Sequence, residues 1–142
     1  RGFLFLPSTE GLLQPVYVGD VARVALLAGE KSAGFGPYPV MDENRYDWDG
    51  VAGALEEAVG RSLRIFRLSP RLLTGAAAVI EWSARLFGRA PEFDRRRARD
   101  LGLHRWTADP TPTERALGWT PQVALPEGAA RTVRWYREHG WL

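Results

Sequence analysis

The chain closes on Ala116-Leu117-Gly118-Trp119-Thr120-Pro121, followed shortly by Leu125-Pro126-Glu127-Gly128. Gly118 predicts the end of a short helix that begins at Thr111-Pro112-Thr113-Glu114, which has the form of a capping box with proline at the first helical position. Pro126 predicts the start of a final helix, whose buried stripe would hold Ala129, Val133 and Tyr136. These closing helices are the part of the sequence that decides the fold.

Upstream of this stretch, helical and strand patterns alternate. Capping residues and apolar spacing predict three helices, from Asp20 to Gly29, from Asp47 to Gly60, and from Ser69-Pro70 to Gly88. A shorter charged helix is predicted from about Pro91 to Leu101. Short strands are predicted at Pro15-Val16-Tyr17-Val18 and from Leu63 to Leu68. The run from Phe35 to Met41, which Pro37 and Pro39 interrupt, is predicted to be a strand at a sheet edge or an extended segment. With no internal repeat and no long linker, the pattern predicts one α/β domain over residues 1–142, its short strands covered by helices.

Composition excludes several classes of protein. The 142 residues are 45% hydrophobic and 25% charged, with a net charge of +2, which is typical of a globular domain and indicates no nucleic-acid partner. The absence of cysteine excludes a disulfide framework and a thiolate zinc site, and it fits the cytoplasm. The apolar run from Leu72 to Trp82 is too short to span a bilayer and predicts a buried helix face.

Other conspicuous residues have ordinary structural explanations. The run Arg95-Arg96-Arg97 is interleaved with acids and is typical of a solvated helix face. His104 and His139 lack the spacing of metal ligands, so no metal site is predicted. Asp20 and Asp109 fall near helix starts, where a carboxylate accepts hydrogen bonds from free backbone N–H groups. No catalytic residue is predicted from these positions.

The order of these motifs resembles the C-terminal half of extended or atypical short-chain dehydrogenase/reductases, the NAD-dependent epimerase/dehydratase family. The resemblance covers nearly the whole chain. It is carried by the segments Gln14-Pro15-Val16-Tyr17-Val18-Gly19-Asp20-Val21-Ala22, Tyr46-Asp47-Trp48, Ala58-Val59-Gly60, Asp109, Leu117-Gly118-Trp119 with Pro121, and Glu127-Gly128.

The resemblance implies a parent enzyme with a Rossmann half that binds NAD or NADP, and a C-terminal half that closes over the substrate. This chain carries neither of the motifs expected of the first half. Gly34-Phe35-Gly36 fails as a dinucleotide fingerprint, because Pro39 stands where a third glycine is needed. The family's catalytic tyrosine is followed four residues later by a lysine, whereas the four tyrosines here are followed by Val21, Asp42, Gly50 and Gly140. No cofactor and no catalysis are therefore expected of this chain alone.

Residues of this C-terminal half indicate which class of substrate the family resemblance implies. Nucleotide-sugar epimerases of the family commonly place an arginine near the position of Gln14, and an amide cannot neutralise a diphosphate. The apolar segments from Phe3 to Pro7 and from Leu72 to Trp82 favour a hydrophobic carbonyl or hydroxyl compound, although both segments could instead pack against the Rossmann half. The predicted substrate-binding residues are Phe5, Gln14, Tyr17 and Trp82.

Two functions remain open at this point. The first is the substrate-binding part of an NAD(P)-dependent oxidoreductase or epimerase, acting on a small hydroxyl, carbonyl or sugar-like substrate. The second is a non-catalytic interaction or scaffold module descended from that family. Because the chain opens on Arg1 without a methionine, we expect an internal start, with the Rossmann half or a partner subunit elsewhere. The apolar faces that such a partner would cover predict self-association, and a homo-oligomer is possible.

Overall fold

A computed structural model describes residues 2–30, 34, 36–86, 88, 94–101 and 105–142. The architecture is α/β, as predicted, with short strands and more helix than sheet. In chain order the elements are β1 Gly2–Pro7, β2 Leu12–Leu13, α1 Val18–Glu30, α2 Trp48–Val59, β3 Leu63–Leu68, α3 Pro70–Leu86, α4 Arg95–Leu101, β4 Arg105–Trp106, α5 Thr111–Leu117 and α6 Leu125–Glu138. Residues 1–11 and 63–105 form one compact unit, the basic unit, and residues 12–62 and 106–142 form a second, the acidic unit. A single domain over residues 1–142 stays a prediction.

The basic unit contains a parallel strand pair and two packed helices. Strands β1 and β3 run in register from Gly2 beside Leu63 to Pro7 beside Leu68. Its core cluster lies between α3 and α4, where Leu73, Ala77 and Ala98 are buried and Leu68 packs against them. The core is small because alanines supply two of its three buried side chains.

The acidic unit has its core among the remaining helices. One cluster joins α1 to α5 through Val24, Leu117 and Trp119, with Leu27, Ala28, Tyr38 and Val40 packed against it. Helix α2 packs on α6 and buries Trp48, Ala52 and Ala54, while α6 buries Ala129 and Val133 as the apolar spacing predicted. Tyr136 is half-buried.

Local signals at the helix ends are confirmed. The Asp47 side chain accepts a hydrogen bond of 2.7 Å from the Gly50 N–H at the start of α2. Gly60 and Gly118 end α2 and α5 with φ of 73° and 63°, the left-handed conformation that glycine adopts without steric cost. Ser69 Oγ accepts from the Leu72 N–H at 3.4 Å, as predicted for the start of α3.

Two local predictions are wrong, and the structure decides a third that was left open between a strand and an extended segment. Pro15-Val16-Tyr17-Val18 forms no strand, because the Tyr17 carbonyl accepts from the Asp20 and Val21 N–H groups and the chain turns directly into α1. Residues 36–41 form no strand either; Pro37 and Pro39 have no N–H to donate to one, and Phe35 lies outside the described residues. Helix α1 runs one residue beyond Gly29, to Glu30.

The predicted capping box at the start of α5 is also replaced by a different cap. The N-cap position falls on Pro110, so Thr111 is already helical. Asp109 Oδ1 instead accepts from the Thr111 N–H at 3.0 Å and from the Thr111 hydroxyl at 2.6 Å. The helix predicted from about Pro91 is described from Arg95 onward as α4, and residues 91–93 lie outside the described residues.

The buried face predicted for the run from Leu72 to Trp82 is narrow. Only Leu73 and Ala77 of α3 are buried, whereas Leu72, Val79 and Trp82 are 61%, 67% and 68% exposed. Helix α3 therefore presents an apolar face to solvent, and the burial predicted for this run holds for Leu73 and Ala77 only. Among the described residues, no helix combines the length and hydropathy needed to cross a membrane.

Candidate functional site

An apolar cleft of about 840 Å³ lies in the acidic unit, between the segment before α1 and helices α2 and α6. Apolar side chains make most of its walls, and Arg131 is the charged residue among those that line it. Its lining comprises Pro15, Val16, Tyr17, Val18, Leu55, Val59, Val123, Ala124, Leu125, Gly128, Ala129, Arg131, Thr132, Val133, Trp135, Tyr136 and Leu142. A cleft of this size and lining fits a hydrocarbon or ring system better than a highly charged ligand.

Two glycines leave room for the Tyr17 ring at this cleft. A β-carbon added at Gly19 would come within 2.7 Å of the Tyr17 ring, and one added at Gly128 would come within 3.3 Å. The guanidinium of Arg131 lies over the same ring, 5.6 Å from its centroid. The cleft therefore has one polar end, where a phenol and a cation lie side by side.

An ion pair with Glu127 stabilises the charged form of Arg131. Arg131 donates from Nε and Nη2 to Glu127 Oε1, at 3.1 Å and 2.6 Å. This hydrogen-bonded ion pair, one turn apart on α6, raises the pKa of Arg131 above its ordinary value. The guanidinium stays protonated at any physiological pH, with donors left over for a polar ligand group.

A second, polar cavity of about 710 Å³ lies at the other end of the segment that carries Tyr17. It is lined by Gln14, Glu43, Asn44, Arg45, Thr107, Ala108, Asp109, Pro110 and Glu114. Gln14 is only 6% exposed; its N–H donates to the Trp106 carbonyl at 3.1 Å, and its Nε2 donates to the Asp42 carbonyl at 3.0 Å. Gln14 Oε1 is buried without a partner among the described residues, so a ligand hydroxyl or N–H could satisfy this acceptor only after the side chain turns toward the cavity.

Two buried aspartates fix the wall of the apolar cleft. Asp20 Oδ2 accepts from the Gln122 and Val123 N–H groups at 3.1 Å and 3.0 Å, and Asp42 Oδ2 accepts from the Leu125 N–H at 3.1 Å. Both carboxylates thus hold the segment that leads into α6, which lies 83 to 103 residues further along the chain. The sequence suggested that Asp20 accepts hydrogen bonds from the start of its own helix, but the structure shows its bonds to Gln122 and Val123 instead. The sequence analysis assigned no role to Asp42.

A local signal for Asp42 was available in the sequence. Asp42-x-Asn44 is the pattern of an Asx-turn, in which Asp42 Oδ1 accepts from the Asn44 N–H, here at 2.9 Å. That signal predicts a turn, but not the long-range bond to Leu125. The nearby Tyr46 phenol has a raised pKa, first because burial disfavours its charged form and second because Asp42 is negative. Tyr46 therefore stays neutral, opposite to what a proton-transferring tyrosine requires.

The four predicted substrate-binding residues are divided between the two units. Gln14 and Tyr17 line the polar and the apolar cavity of the acidic unit. Phe5 and Trp82 belong to the basic unit, where both side chains are more than half exposed and the Phe5 ring stacks on Phe66 with centroids 5.5 Å apart. Substrate binding by all four stays a prediction.

Asp109 and His139 both make contacts with neighbouring side chains. Asp109 caps α5, and its hydrogen bonds with Thr111 lower the pKa of the carboxyl group. His139 stacks on Trp135 with centroids 4.1 Å apart, and His104 lies outside the described residues. Within the described ranges, no three His, Cys, Asp or Glu side chains gather as metal ligands.

Comparison with known proteins places this fold among NAD-dependent epimerases and reductases. A UDP-glucose 4-epimerase from Bifidobacterium longum in complex with NAD+ and UDP matches with a TM-score of 0.60 and 17% identity, over 92% of this chain and 31% of the epimerase. A Citrobacter sp. triphenylmethane reductase complexed with NADP(H) matches with a TM-score of 0.60 and 15% identity, over 93% and 44%. A UDP-glucose-4-epimerase from Stenotrophomonas maltophila reaches a TM-score of 0.65 at 16% identity, over 97% and 36%. The resemblance stated from the sequence is confirmed: the chain has the fold of a part of the NAD-dependent epimerase/dehydratase, or extended short-chain dehydrogenase/reductase, enzymes.

One curated protein is closer in sequence. The chain is 31% identical over 152 aligned residues to a ceramide reductase of Caulobacter vibrioides, covering 98% of this chain and 47% of that protein. The chain thus spans about half the length of this relative. No protein-family model matches the sequence.

The residues of this chain do not fit a nicotinamide cofactor. A dinucleotide needs a glycine-rich turn between a strand and a helix, where backbone N–H groups approach the pyrophosphate. Gly34 and Gly36 lie in irregular chain before Pro37, and no helix follows until α2 at Trp48. Tyr17 and Tyr136 line the apolar cleft, and neither has a lysine four residues later.

Proposed function

We propose that this chain is the substrate-binding part of an NAD(P)-dependent oxidoreductase that acts on a lipid-like hydroxyl or carbonyl compound. The observation that carries the proposal is the 31% identity to a ceramide reductase along 98% of this chain. The cofactor would bind to residues outside this sequence and would exchange a hydride with the carbonyl carbon, while a proton is exchanged with the oxygen. A ceramide-type substrate combines long hydrocarbon chains with one amide and a few hydroxyl or carbonyl groups.

The apolar cleft supports the hydrocarbon side of this proposal. Its volume of about 840 Å³ is in the range of cavities that enclose small molecules, and its walls are aliphatic and aromatic. In this assignment a hydrocarbon chain packs on Leu55, Val59 and Val133. A polar group of the substrate would face Tyr17 and Arg131 at the polar end.

The polar cavity supports the polar part of the proposed substrate. Gln14 Oε1 is a buried acceptor without a partner among the described residues, and leaving it so costs about 1 to 3 kcal/mol. A hydroxyl or amide N–H of the substrate would satisfy it once the side chain turns toward the cavity. A diphosphate would not, since it brings acceptors rather than donors and Glu43, Asp109 and Glu114 line the same cavity. This favours a ceramide-like compound over a nucleotide sugar.

The test is turnover by the full-length gene product. Oxidation of ceramide with NAD+ or NADP+, and reduction of the corresponding amino ketone with NADH or NADPH, are followed by the nicotinamide absorbance. We expect turnover of the long-chain compounds and a much lower kcat/KM for UDP-glucose. Turnover of UDP-glucose in preference to the lipid would contradict the proposed substrate class.

A matched pair of variants tests the cleft itself. Val18 and Leu26 both lie on α1 and are 71% and 67% exposed, but only Val18 lines the cleft. Val18→Asp places a charge beside the hydrocarbon, so we expect its KM for a long-chain substrate to rise about tenfold. Leu26→Asp should leave KM unchanged, and equal effects of the two variants would remove the cleft from the substrate site.

The second candidate is a non-catalytic interaction module. It is favoured by the absence from this sequence of a Tyr-x-x-x-Lys pair. If the full-length product turns over neither class of compound but still binds a fluorescent ceramide, lipid binding without catalysis is the function.

A further inference from the structure

Helix α3 presents a continuous apolar stripe to solvent. Leu72, Val79 and Leu86 recur every seven residues and are 61%, 67% and 63% exposed, and Trp82 beside them is 68% exposed. The buried residues of α3, Leu73 and Ala77, lie on the opposite side of the helix. From Leu72 to Leu86 the stripe measures about 21 Å along the helix, which is far more than a scattered surface leucine.

The same unit carries most of the positive charge of the chain. Residues 1–11 and 63–105 include eleven arginines and five acidic residues, a net charge of +6, whereas the remaining residues include eight basic and twelve acidic ones, a net charge of −4. The modest overall charge of +2 hides this division. A charge asymmetry of this kind indicates an anionic partner for the basic half.

Basic groups lie directly beside the stripe. Arg71 and Arg85 are exposed on α3, next in sequence to Leu72 and Leu86. A groove of about 510 Å³ between α3 and α4 is lined by Pro70, Arg71, Thr74, Gly75, Ala78 and Arg95. Of the two arginines, Arg95 donates from Nε to Glu81 Oε2 at 3.0 Å, and Arg85 of α3 is paired with the other oxygen of the same carboxylate.

We propose that the α3 stripe and the arginines of α3 and α4 form a peripheral binding surface for an anionic lipid bilayer. The helix lies in the plane of the membrane, with Leu72, Val79, Trp82 and Leu86 among the acyl chains. The exposed arginines of the two helices, among them Arg71 and Arg96, face the anionic headgroups. This arrangement of leucine and tryptophan on one side and arginine on the other is typical of interfacial helices.

The charges favour a bilayer over a second copy of the chain or a nucleic acid on this apolar face. A second copy of the chain would bring two units of charge +6 together, which is unfavourable. A nucleic acid would satisfy the arginines but would leave Val79 and Leu86 against a charged backbone. The bilayer proposal goes beyond the proposed activity and does not depend on it, because the stripe and the charge asymmetry carry it alone.

Vesicle co-sedimentation of the full-length gene product tests the proposal. The vesicles consist of phosphatidylcholine alone or of equimolar phosphatidylcholine and phosphatidylglycerol, at low and high salt. We expect binding to the anionic vesicles that weakens with salt, and little binding to phosphatidylcholine. No binding to either, or equal and salt-independent binding to both, would overturn the proposal.

Variants on the surface separate the two contributions. Arg71→Gln and Arg96→Gln, both at exposed positions, should each weaken binding to anionic vesicles about fivefold. The double variant Val79→Ser and Trp82→Ser should weaken it more than about tenfold. The matched control is Leu26→Ser, which changes a residue of the same exposure on the acidic unit and should have no effect.

A spectroscopic readout keeps the test independent of folding defects. The emission of Trp82 should shift to the blue when anionic vesicles are added, and the shift should be lost in Trp82→Phe while binding is retained. If the variants alter sedimentation of the free protein but no vesicle binds, the stripe joins two copies of the chain. If only a nucleic acid binds, the arginines serve that partner, and either outcome refutes the bilayer proposal.

Discussion

The buried carboxylate of Asp20 gives the sharpest test of how the apolar cleft is built. Asp20 is 1% exposed, and its Oδ2 accepts from the N–H groups of Gln122 and Val123. Asp20→Ala removes both bonds and leaves two backbone donors facing a cavity. The segment leading into α6, which forms one wall of the cleft, loses that anchor.

The expected loss of unfolding free energy in Asp20→Ala follows from how deeply the Gln122 and Val123 N–H groups are buried. The Val123 N–H is buried, so losing a charged acceptor there costs about 2 to 3 kcal/mol. The Gln122 N–H is only partly buried and can turn to water, which limits its cost to about 1 kcal/mol. We expect Asp20→Ala to lower the free energy of unfolding by about 3 to 4 kcal/mol. Asp20→Asn, which keeps one amide oxygen, should cost about half as much.

Urea unfolding followed by far-UV circular dichroism and tryptophan fluorescence measures the loss. Asp47→Ala is the matched control, because Asp47 accepts one solvent-accessible bond from Gly50, and we expect it to cost about 1 kcal/mol. Amide hydrogen exchange adds a local readout, since the Gln122 and Val123 amides should exchange faster in Asp20→Ala only. If the two alanine variants lose the same free energy, the buried carboxylate is not an anchor and the reasoning fails.

Three further predictions concern the helices. Gly53→Ala, at a position in α2 where a β-carbon meets no atom within 4 Å, should raise the free energy of unfolding by about 0.5 to 1 kcal/mol in a urea titration. Gly19→Ala should lower it by about 1 to 3 kcal/mol, because the new β-carbon comes within 2.7 Å of the rigid Tyr17 ring; a stabilised variant would show that the ring is free to move. The Glu81 pKa is lowered mainly by its hydrogen bond from Arg95, so the stabilisation is complete above the ordinary value of 4.5 and is lost as pH falls through the lowered pKa. Glu81→Gln should therefore lower the melting temperature at neutral pH but not in strong acid, and a pH-independent difference would contradict this account.

Elements whose signals are local were predicted well. The cap at Asp47, the glycine ends at Gly60 and Gly118 and the strand from Leu63 to Leu68 all stand where the sequence placed them. Each depends on residues within one turn of the helix end, or on side chains of a single short run. Such preferences act over a few residues, and they are strong enough here to hold in the folded chain.

Predictions that needed distant partners were wrong or incomplete. A β-prone run such as Pro15-Val16-Tyr17-Val18 becomes a strand only when another strand pairs with it, and here the chain turns into α1 instead. Asp20 looked like a helix cap, although its acceptor oxygen serves amides about a hundred residues away. The apolar run of α3 was expected to be buried, yet the available core covers only Leu73 and Ala77.

In the candidate site, too, some features could be predicted from the sequence and others could not. Gln14 and Tyr17 could be singled out from the motif that contains them, and both line cavities. The unpaired oxygen of Gln14 and the position of Arg131 over the Tyr17 ring could not, since each depends on chain segments that meet only in the folded structure. Asp42 was missed because its role is set by the amide of Leu125.

By itself the sequence determined the presence of the helices, the glycine ends at Gly60 and Gly118, the strand from Leu63 to Leu68 and the family of folds, because short-range propensities and the order of motifs carry that information. Only the tertiary structure decided which charges are buried, which apolar faces stay exposed, and how the arginines and acids divide between two units. Burial is a property of packed segments that are far apart in the chain, and a buried carboxylate is stable only where folding brings backbone donors to it.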